Sequence, residues 1–289
     1  MNAAGNTISV VTPSLNQIAF LKACCASVAD QREAEFEHIV IDGASGDGTA
    51  EWLGGQPALR WLSEADGGMY DAINKGLRLA RGEILAVLNC DEQYLPGTLS
   101  HAARFFQSRP EVDILFGDFL AVAPDGSLLA YRKAIPLRWP YVVSSYLYAG
   151  TCALFFRRRL LGEGLRFRSD LRYVADADFV VRALRQGFRA RLLRRYLSVF
   201  MDSGTNLSGS RMAVLERREW ARSFPAGIRW LSPAINLARL CEKAARGCYR
   251  QALPLEYEIF TPDSGGQRKK FVQGTAGFRW QVGGEKGHP

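Results

Sequence analysis

The strongest constraint on this chain is an alternation in its first 116 residues. Short runs that are apolar almost throughout take turns with segments of helical period. The runs are 8–11, 36–41, 59–62, 84–88 and 112–116, and 84–88 is the most apolar, Ile-Leu-Ala-Val-Leu. A strand that is apolar on both faces must be covered on both faces, which is the condition of a parallel sheet sandwiched by helices. The intervening segments supply those helices. In 69–80, Met69, Ile73, Leu77 and Ala80 fall on one face, and Gly82 suits the C-terminal cap. Asn16 is placed to cap a helix reaching about Val28, and 96–107 forms a further helix. The expected fold class is therefore α/β, a mainly parallel central sheet flanked by helices.

The second half reads differently. Residues 117–132 predict strands with a turn at Pro124-Asp125-Gly126, and 175–186 a helix. From about Ser210 the chain becomes Arg-rich. Residues 228–249 form one amphipathic helix, with Ile228, Leu231, Ile235 and Leu240 beside Arg229, Arg239, Lys243 and Arg246. Packing against the body and lying on a membrane surface both fit such a helix. Ser264-Gly265-Gly266 reads as a loop, and 283–289 as a fraying end. The expected organisation is a catalytic domain over 1–210, with halves at about 1–118 and 119–210. A C-terminal helical extension and tail follow over 211–289.

Composition narrows the function classes. A net charge of +8 over 289 residues suits an anionic ligand, an anionic membrane surface or nucleic acid. The Arg residues are scattered and form no known nucleic-acid module, so no nucleic-acid partner is expected. Three histidines argue against a His triad or a three-His metal site, and six cysteines without a Cys-x-x-Cys pair read as reduced core thiols. Residues 1–7 are short and polar, with no secretory signal. The longest uncharged run, 139–156, carries Pro140, Ser144, Ser145, Gly150 and Thr151 and reads as core rather than a membrane span. A cytoplasmic protein is expected, with peripheral contact at the inner membrane face left open.

In an open parallel sheet, ligands bind beyond the carboxyl ends of the strands. Polar or acidic groups follow four consecutive strands there: Thr12-Pro13-Ser14-Leu15-Asn16, Asp42-Gly43, Glu64 with Asp66-Gly67-Gly68, and Asn89-Cys90-Asp91-Glu92. Asp91 could hold Mg²⁺ or Mn²⁺ or cap the next turn. Glu92, by alternation, points elsewhere. Asp42 could accept hydrogen bonds from a base or ribose, or close an Asx turn. Asp66 could cap a helix or touch a ligand, and Asn74 and Lys75 could be a solvated face or sugar and phosphate contacts. Neither a Walker nor a Rossmann glycine pattern is present. A second acidic site, Asp176 and Asp178, opens a helix, where one carboxylate could act as a general base and the other as a cap.

The order of these motifs resembles a family 2 glycosyltransferase of the GT-A fold. The resemblance is carried by residues 8–16 (Ile-Ser-Val-Val-Thr-Pro-Ser-Leu-Asn), by 40–49, by 63–76 and by 80–92. It covers 8 to about 100 closely, 150–205 loosely and the remainder weakly. It implies an enzyme that transfers a sugar from a nucleotide-diphosphate sugar to an acceptor hydroxyl, with inversion and with Mn²⁺ or Mg²⁺ as cofactor. It implies that Thr12, Asp42 and Asp66 hold base and ribose, with Pro13, Asn16, Lys75, Asn89 and Cys90 on the donor side. Asp91 matches the last Asp of the family's Asp-x-Asp metal motif, whose first position here is Asn89. The family's Glu-Asp catalytic pair falls on Ala175-Asp176, which gives Asp176 the role of base with Asp178 as its substitute. The implied acceptor is a glycan, polysaccharide or lipid-linked precursor of the cell surface. A nucleotidyltransferase would want a glycine-rich, basic loop after the first strand, and a non-catalytic nucleotide-sugar-binding protein remains the other reading. A processive synthase is disfavoured, because Arg229-Trp230 and Arg279-Trp280 lack the Gln of its Gln-x-x-Arg-Trp signature.

Overall fold

A computed structural model describes residues 7–202, 210–261 and 264–279. The first half runs β1 (Ile8–Ser14), α1 (Ile18–Ala29), β2 (Phe36–Asp42), α2 (Thr49–Gly54), β3 (Arg60–Ser63), α3 (Met69–Leu79), β4 (Ile84–Val87), β5 (Glu92–Tyr94) and α4 (Thr98–Ser108). It continues through β6 (Ile114–Val122), β7 (Leu128–Arg132), α5 (Trp139–Ser144), β8 (Leu154–Arg157), α6 (Arg159–Gly162), α7 (Ala175–Arg185) and β9 (Ala190–Met201). The last part holds α8 (Arg211–Arg222), α9 (Ala226–Trp230), α10 (Ser232–Ala245), β10 (Leu255–Ile259) and β11 (Lys269–Gln273).

One sheet of nine strands, ordered β3-β2-β1-β4-β8-β6-β9-β5 with β7 also on β6, organises the body. The expected parallel pairing holds from β3 through β4. Beyond β4 the sheet is mixed: β8 runs antiparallel to both β4 and β6, while β6 and β9 are parallel. The strands expected around Pro124-Asp125-Gly126 are β6 and β7. Asp125 accepts from the Ser127 N–H at 2.9 Å there, and Gly126 takes a positive φ of 88°. Two helical layers cover the sheet and bury separate apolar clusters, one under α3, α5 and α7 and one under α1 and α4.

Helix α3 carries the Asp66 turn at its N-terminus, so its fit against the sheet sets that turn's position. A Cβ on Gly76 would meet Val11 Cγ1 at 2.3 Å, which makes glycine a requirement of this approach. The bare backbone lets Ile73 and Leu77, each 1% exposed, settle on β1 and β2. Asn74 is buried rather than solvated. Its Nδ2 donates to the Phe167 carbonyl at 2.7 Å and its Oδ1 accepts from the Phe167 N–H at 3.2 Å, tying α3 to the second half of the chain.

Several local expectations are corrected. Asn16 caps no helix; it sits at φ 53°, with Oδ1 accepting from the Gly46 N–H at 2.9 Å. The exposed first turn of α1 is capped from a distant loop instead, by Asp47 Oδ2 on the Ile18 N–H at 2.9 Å. Gly82 does not cap α3, which ends at Leu79 with Ala80 in the cap position; a Cβ on Gly82 would meet the Thr7 carbonyl at 2.4 Å. The amphipathic stretch 228–249 is two helices, α9 and α10, because Pro233 starts a new first turn. The loop at Ser264-Gly265-Gly266 joins an antiparallel hairpin, β10–β11. Arg268 locks that hairpin to the body through Asp30 at 2.5 and 2.7 Å and the Tyr94 carbonyl at 2.9 Å. Five cysteines are buried as expected, all six are free, and Cys241 is exposed.

Replacing Gly76 by Ala forces β1 and α3 apart. Chemical denaturation of Gly76→Ala should show a loss of about 1–3 kcal/mol, the cost of overpacking a close contact. An unchanged midpoint would contradict the tight α3–β1 fit.

Candidate active site

A cleft of about 890 Å³ lies beyond the carboxyl ends of β1 and β4. One wall comes from Pro13, Ser14 and the turn Asn89-Cys90-Asp91-Glu92; another from Asp66 to Tyr70 at the start of α3. A third wall comes from Thr151, Val174, Asp176 and Ala177, and α8 contributes Ala213, Arg217 and Trp220. The cleft thus joins residues separated by more than a hundred positions.

Four carboxylates line it, Asp66, Asp91, Glu92 and Asp176, and the last three are raised by burial. Asp91 is largely desolvated, and burial holds its carboxyl above the usual range. Glu92 is 1% exposed, and its carboxyl is pushed up by burial and then by the charge of Asp91. Its Oε2 accepts from the Asn89 N–H at 2.8 Å, which fixes the turn that presents Asp91. Asp176 lines the same cleft, raised chiefly by burial. Thr151 Oγ1 donates to its Oδ2 at 3.2 Å, and the Ala177 N–H donates to its Oδ1 at 2.7 Å. The loop ahead of Asp176 is clamped by Glu216 on α8. That carboxylate accepts the N–H groups of Arg172, Tyr173 and Val174 at 2.9, 2.7 and 3.0 Å.

Asp176 and Asp178 have different surroundings. Asp178 does not line the cleft; its oxygens accept from Arg182 Nε at 2.7 Å and Trp220 Nε1 at 3.0 Å, a buried packing pair. Asp66, Pro13, Asn89, Cys90 and Asp91 line the cleft together. Thr12, Asn16, Asp42 and Lys75 do not. Thr12 is fully buried beneath the wall, with Oγ1 2.9 Å from His38 Nε2. Asp42 closes an Asx-type turn with Ser45 and accepts from Ser63 Oγ at 2.6 Å. A Cβ on the next residue, Gly43, would meet Asp66 Oδ2 at 2.9 Å, so the two turns touch only because that position is glycine. Lys75 holds the Asp66 turn from behind, through Glu64 at 2.8 Å, Asp71 at 3.5 Å and the Ala65 carbonyl at 3.0 Å.

Glu92 was expected to point away, yet it lines the cleft. The tight turn 89–92 breaks the strand alternation on which that expectation rested. Arg217, Trp220 and the Glu216 clamp carried no local signal, because they join the site only through the tertiary fold; Tyr70 lies within the 63–76 motif.

A divalent cation fits the turn. No group of three or more His, Cys, Asp and Glu capable of holding a metal occurs among the described residues. Asp91 supplies a hard carboxylate oxygen, however, and Asn89 Oδ1 is a buried acceptor without a hydrogen-bond partner. Mg²⁺ and Mn²⁺ take such oxygens and commonly complete their shell with substrate phosphates and water.

The mixed sheet thus carries acidic turns at its carboxyl edge and a further acidic group, Asp176, in the same cleft. The model of the family described as glycosyl transferase family 2 matches residues 9–216, and the chain belongs to that family. A glycosyltransferase of PGL/p-HBAD biosynthesis from Mycobacterium bovis (strain BCG / Pasteur 1173P2) is 28% identical over 239 residues, 78% of this chain and 87% of that protein. An uncharacterized glycosyltransferase of Mycobacterium tuberculosis (strain CDC 1551 / Oshkosh) is 33% identical over 61% of this chain and 68% of its own. Among solved structures, S. aureus TarS 1-349 in complex with UDP-GlcNAc superposes with a TM-score of 0.60 at 17% identity, covering 92% of this chain and 99% of that one. The mannosyltransferase PcManGT from Pyrobaculum calidifontis, in complex with GDP-Man and Mn2+, superposes with a TM-score of 0.56 at 18% identity, covering 86% and 76%. The chain is a glycosyltransferase by family, and the likeness to solved structures shows the fold.

His38, under Thr12, gives this wall a pH signature. Complete burial pulls its imidazole down to about 3. The unfolded chain binds that proton near pH 6.5, while the folded chain refuses it until about 3. The contribution to stability is therefore full above pH 6.5 and is lost as pH falls through that window. The melting temperature of the native protein should drop faster between pH 7 and 5 than that of His38→Gln; parallel pH profiles would contradict a buried neutral imidazole.

Proposed function

We propose that the protein transfers a sugar from a nucleotide-diphosphate sugar to an acceptor hydroxyl with inversion, assisted by a metal held at Asp91. The observation that carries this reading is that Asp91 and Asp176, 85 positions apart in the chain, line one cleft, with the charge of Asp176 felt at Glu92. One carboxylate then serves the leaving diphosphate and the other the incoming hydroxyl.

The acceptor hydroxyl gives its proton to Asp176, its oxygen forms a bond to the anomeric carbon, and the bond from that carbon to the diphosphate oxygen breaks. Burial strengthens Asp176 as a base, and Thr151 and the Ala177 N–H fix the direction of its oxygens. Asp91, with Asn89 Oδ1 beside it, would hold Mn²⁺ or Mg²⁺, which when bound neutralises charge on the departing nucleoside diphosphate. Asp66 and Pro13 line the donor end. Thr12 and Asp42 support that end from beneath, and Lys75 fixes the Asp66 turn. Asp178 is left a packing role by its pairing with Arg182 and Trp220.

The acceptor we propose is a glycan or a lipid-linked precursor, in keeping with relatives named for PGL/p-HBAD biosynthesis. No helix of the described residues is long and apolar enough to cross a membrane. A cytoplasmic enzyme working at the inner membrane face, in cell-surface polysaccharide synthesis, is part of the proposal. Exposed Trp230, Leu231 and Leu237 on and beside α9 and α10 support the membrane-facing element.

In a turnover assay, Asp176→Asn should lower kcat by roughly 10²–10⁴-fold, the usual contribution of a general base. Donor affinity should stay close to that of the native protein. Near-native turnover in Asp176→Asn would remove the assignment.

A further inference from the structure

A second cavity, about 310 Å³, adjoins the cleft and shares Arg132 and Tyr146 with it. Its lining is cationic: Arg132, Lys133, Arg239, Lys243 and Arg279, with no acidic residue. Arg239 and Lys243 stand four residues apart on α10, on the same face, and are only 7% and 9% exposed. Cations this deeply buried are ordinarily paired with carboxylates. Among the described residues neither forms an ion pair. Arg239 Nε donates to Asn236 Oδ1 at 3.3 Å and its guanidinium lies 5.2 Å from the Tyr146 ring; Lys243 Nζ lies 5.8 Å from the Tyr249 ring. The one carboxylate between them on α10, Glu242, serves Arg138 and Arg246 instead. Burial first, then the neighbouring Arg132 and Arg239, pull the Lys243 ammonium below its usual range.

We propose that this cavity binds a phosphate or phosphodiester group carried by the acceptor. Its role as an acceptor subsite rests on the glycosyltransferase reading above; its affinity for phosphate does not. The volume suits one such group and its first connecting atoms. Arg132 and Tyr146 link it to the cleft, Tyr146 holding the Arg132 guanidinium at 3.1 Å. A phosphate anchored there lets the attached sugar or chain enter the cleft that Asp176 lines, past the shared Arg132 and Tyr146. The phosphate belongs either to a soluble phosphorylated acceptor or to a lipid headgroup. Leu240, which lines the cavity and is 45% exposed, continues toward exposed Leu237 on the same helix.

The test is thermal melting of the full chain in metal-free buffer, with inorganic phosphate compared with chloride at equal ionic strength. The native protein should gain on the order of several degrees with phosphate. Lys243→Met and Arg239→Gln should lose that gain. In chloride, Lys243→Met should melt at or above the native temperature, because it removes a repelling buried charge. Asp91→Asn should keep the phosphate gain, so failure of the donor reading and failure of this one are separable. No gain in the native protein, or an undiminished gain in folded Lys243→Met and Arg239→Gln, overturns the proposal. Flotation then separates the sources. Binding to phosphatidylglycerol but not phosphatidylcholine vesicles, lost in Lys243→Met, assigns a lipid headgroup. A phosphate-induced gain without flotation assigns a soluble phosphorylated acceptor.

Discussion

Burial of negative charge governs this molecule. Asp91, Glu92 and Asp176 share one cleft, and each has its ionised form disfavoured by desolvation. A fold that kept them there for stability alone would be poorly made, since buried like charges cost several kcal/mol unless a cation, a proton or hydrogen bonds offset them. The structure supplies part of the offset through backbone N–H groups, on Glu92 from Asn89 and on Asp176 from Ala177. The burden is placed where chemistry can use it.

Holding carboxylates in that arrangement requires stiff walls, and the walls are stiffened by polar clamps between distant segments. Asn74 bridges α3 to Phe167, Glu216 gathers three N–H groups ahead of α7, and Lys75 ties Glu64 and Asp71 behind the Asp66 turn. Asn74 and Lys75 sit on α3, whose first turn lines the cleft, and Glu216 joins two segments that both line it. Charge also changes sign along the joined cavities, from carboxylates at the Asp91 end to guanidinium and ammonium groups near Arg132 and Lys243. That polarity suits a metal-bound diphosphate at one end and an anionic acceptor at the other.

The parallel half of the fold was legible because apolar runs and a helical stripe are local signals, and Asp91 could be singled out because it follows the most apolar strand. Asp176 was reached through the family resemblance, since two acids at the start of a helix are more often caps. What could not be read was set by tertiary contacts. Asn16 has no capping role because its Oδ1 is taken by the Gly46 N–H, while Asp47, from the loop after β2, accepts from the Ile18 N–H. Glu92 turns inward because the turn 89–92 interrupts the two-residue period. The β10–β11 hairpin depends on Arg268 reaching back to Asp30, a partner 238 positions away. The buried cations of α10 looked like the polar stripe of an amphipathic helix, and only packing reveals that Arg239 and Lys243 face inward.

The central claim is that Asp91 couples donor binding to a divalent metal. Calorimetric titration of UDP-, GDP- and dTDP-sugars into the native protein and Asp91→Ala, each with Mn²⁺ and with chelator, tests it most directly. The account predicts that one donor class binds the native protein with Mn²⁺, and that both chelator and Asp91→Ala weaken that binding at least about tenfold, a loss of about 1.4 kcal/mol. Equal affinity with Mn²⁺ and with chelator, unchanged in Asp91→Ala, would contradict it.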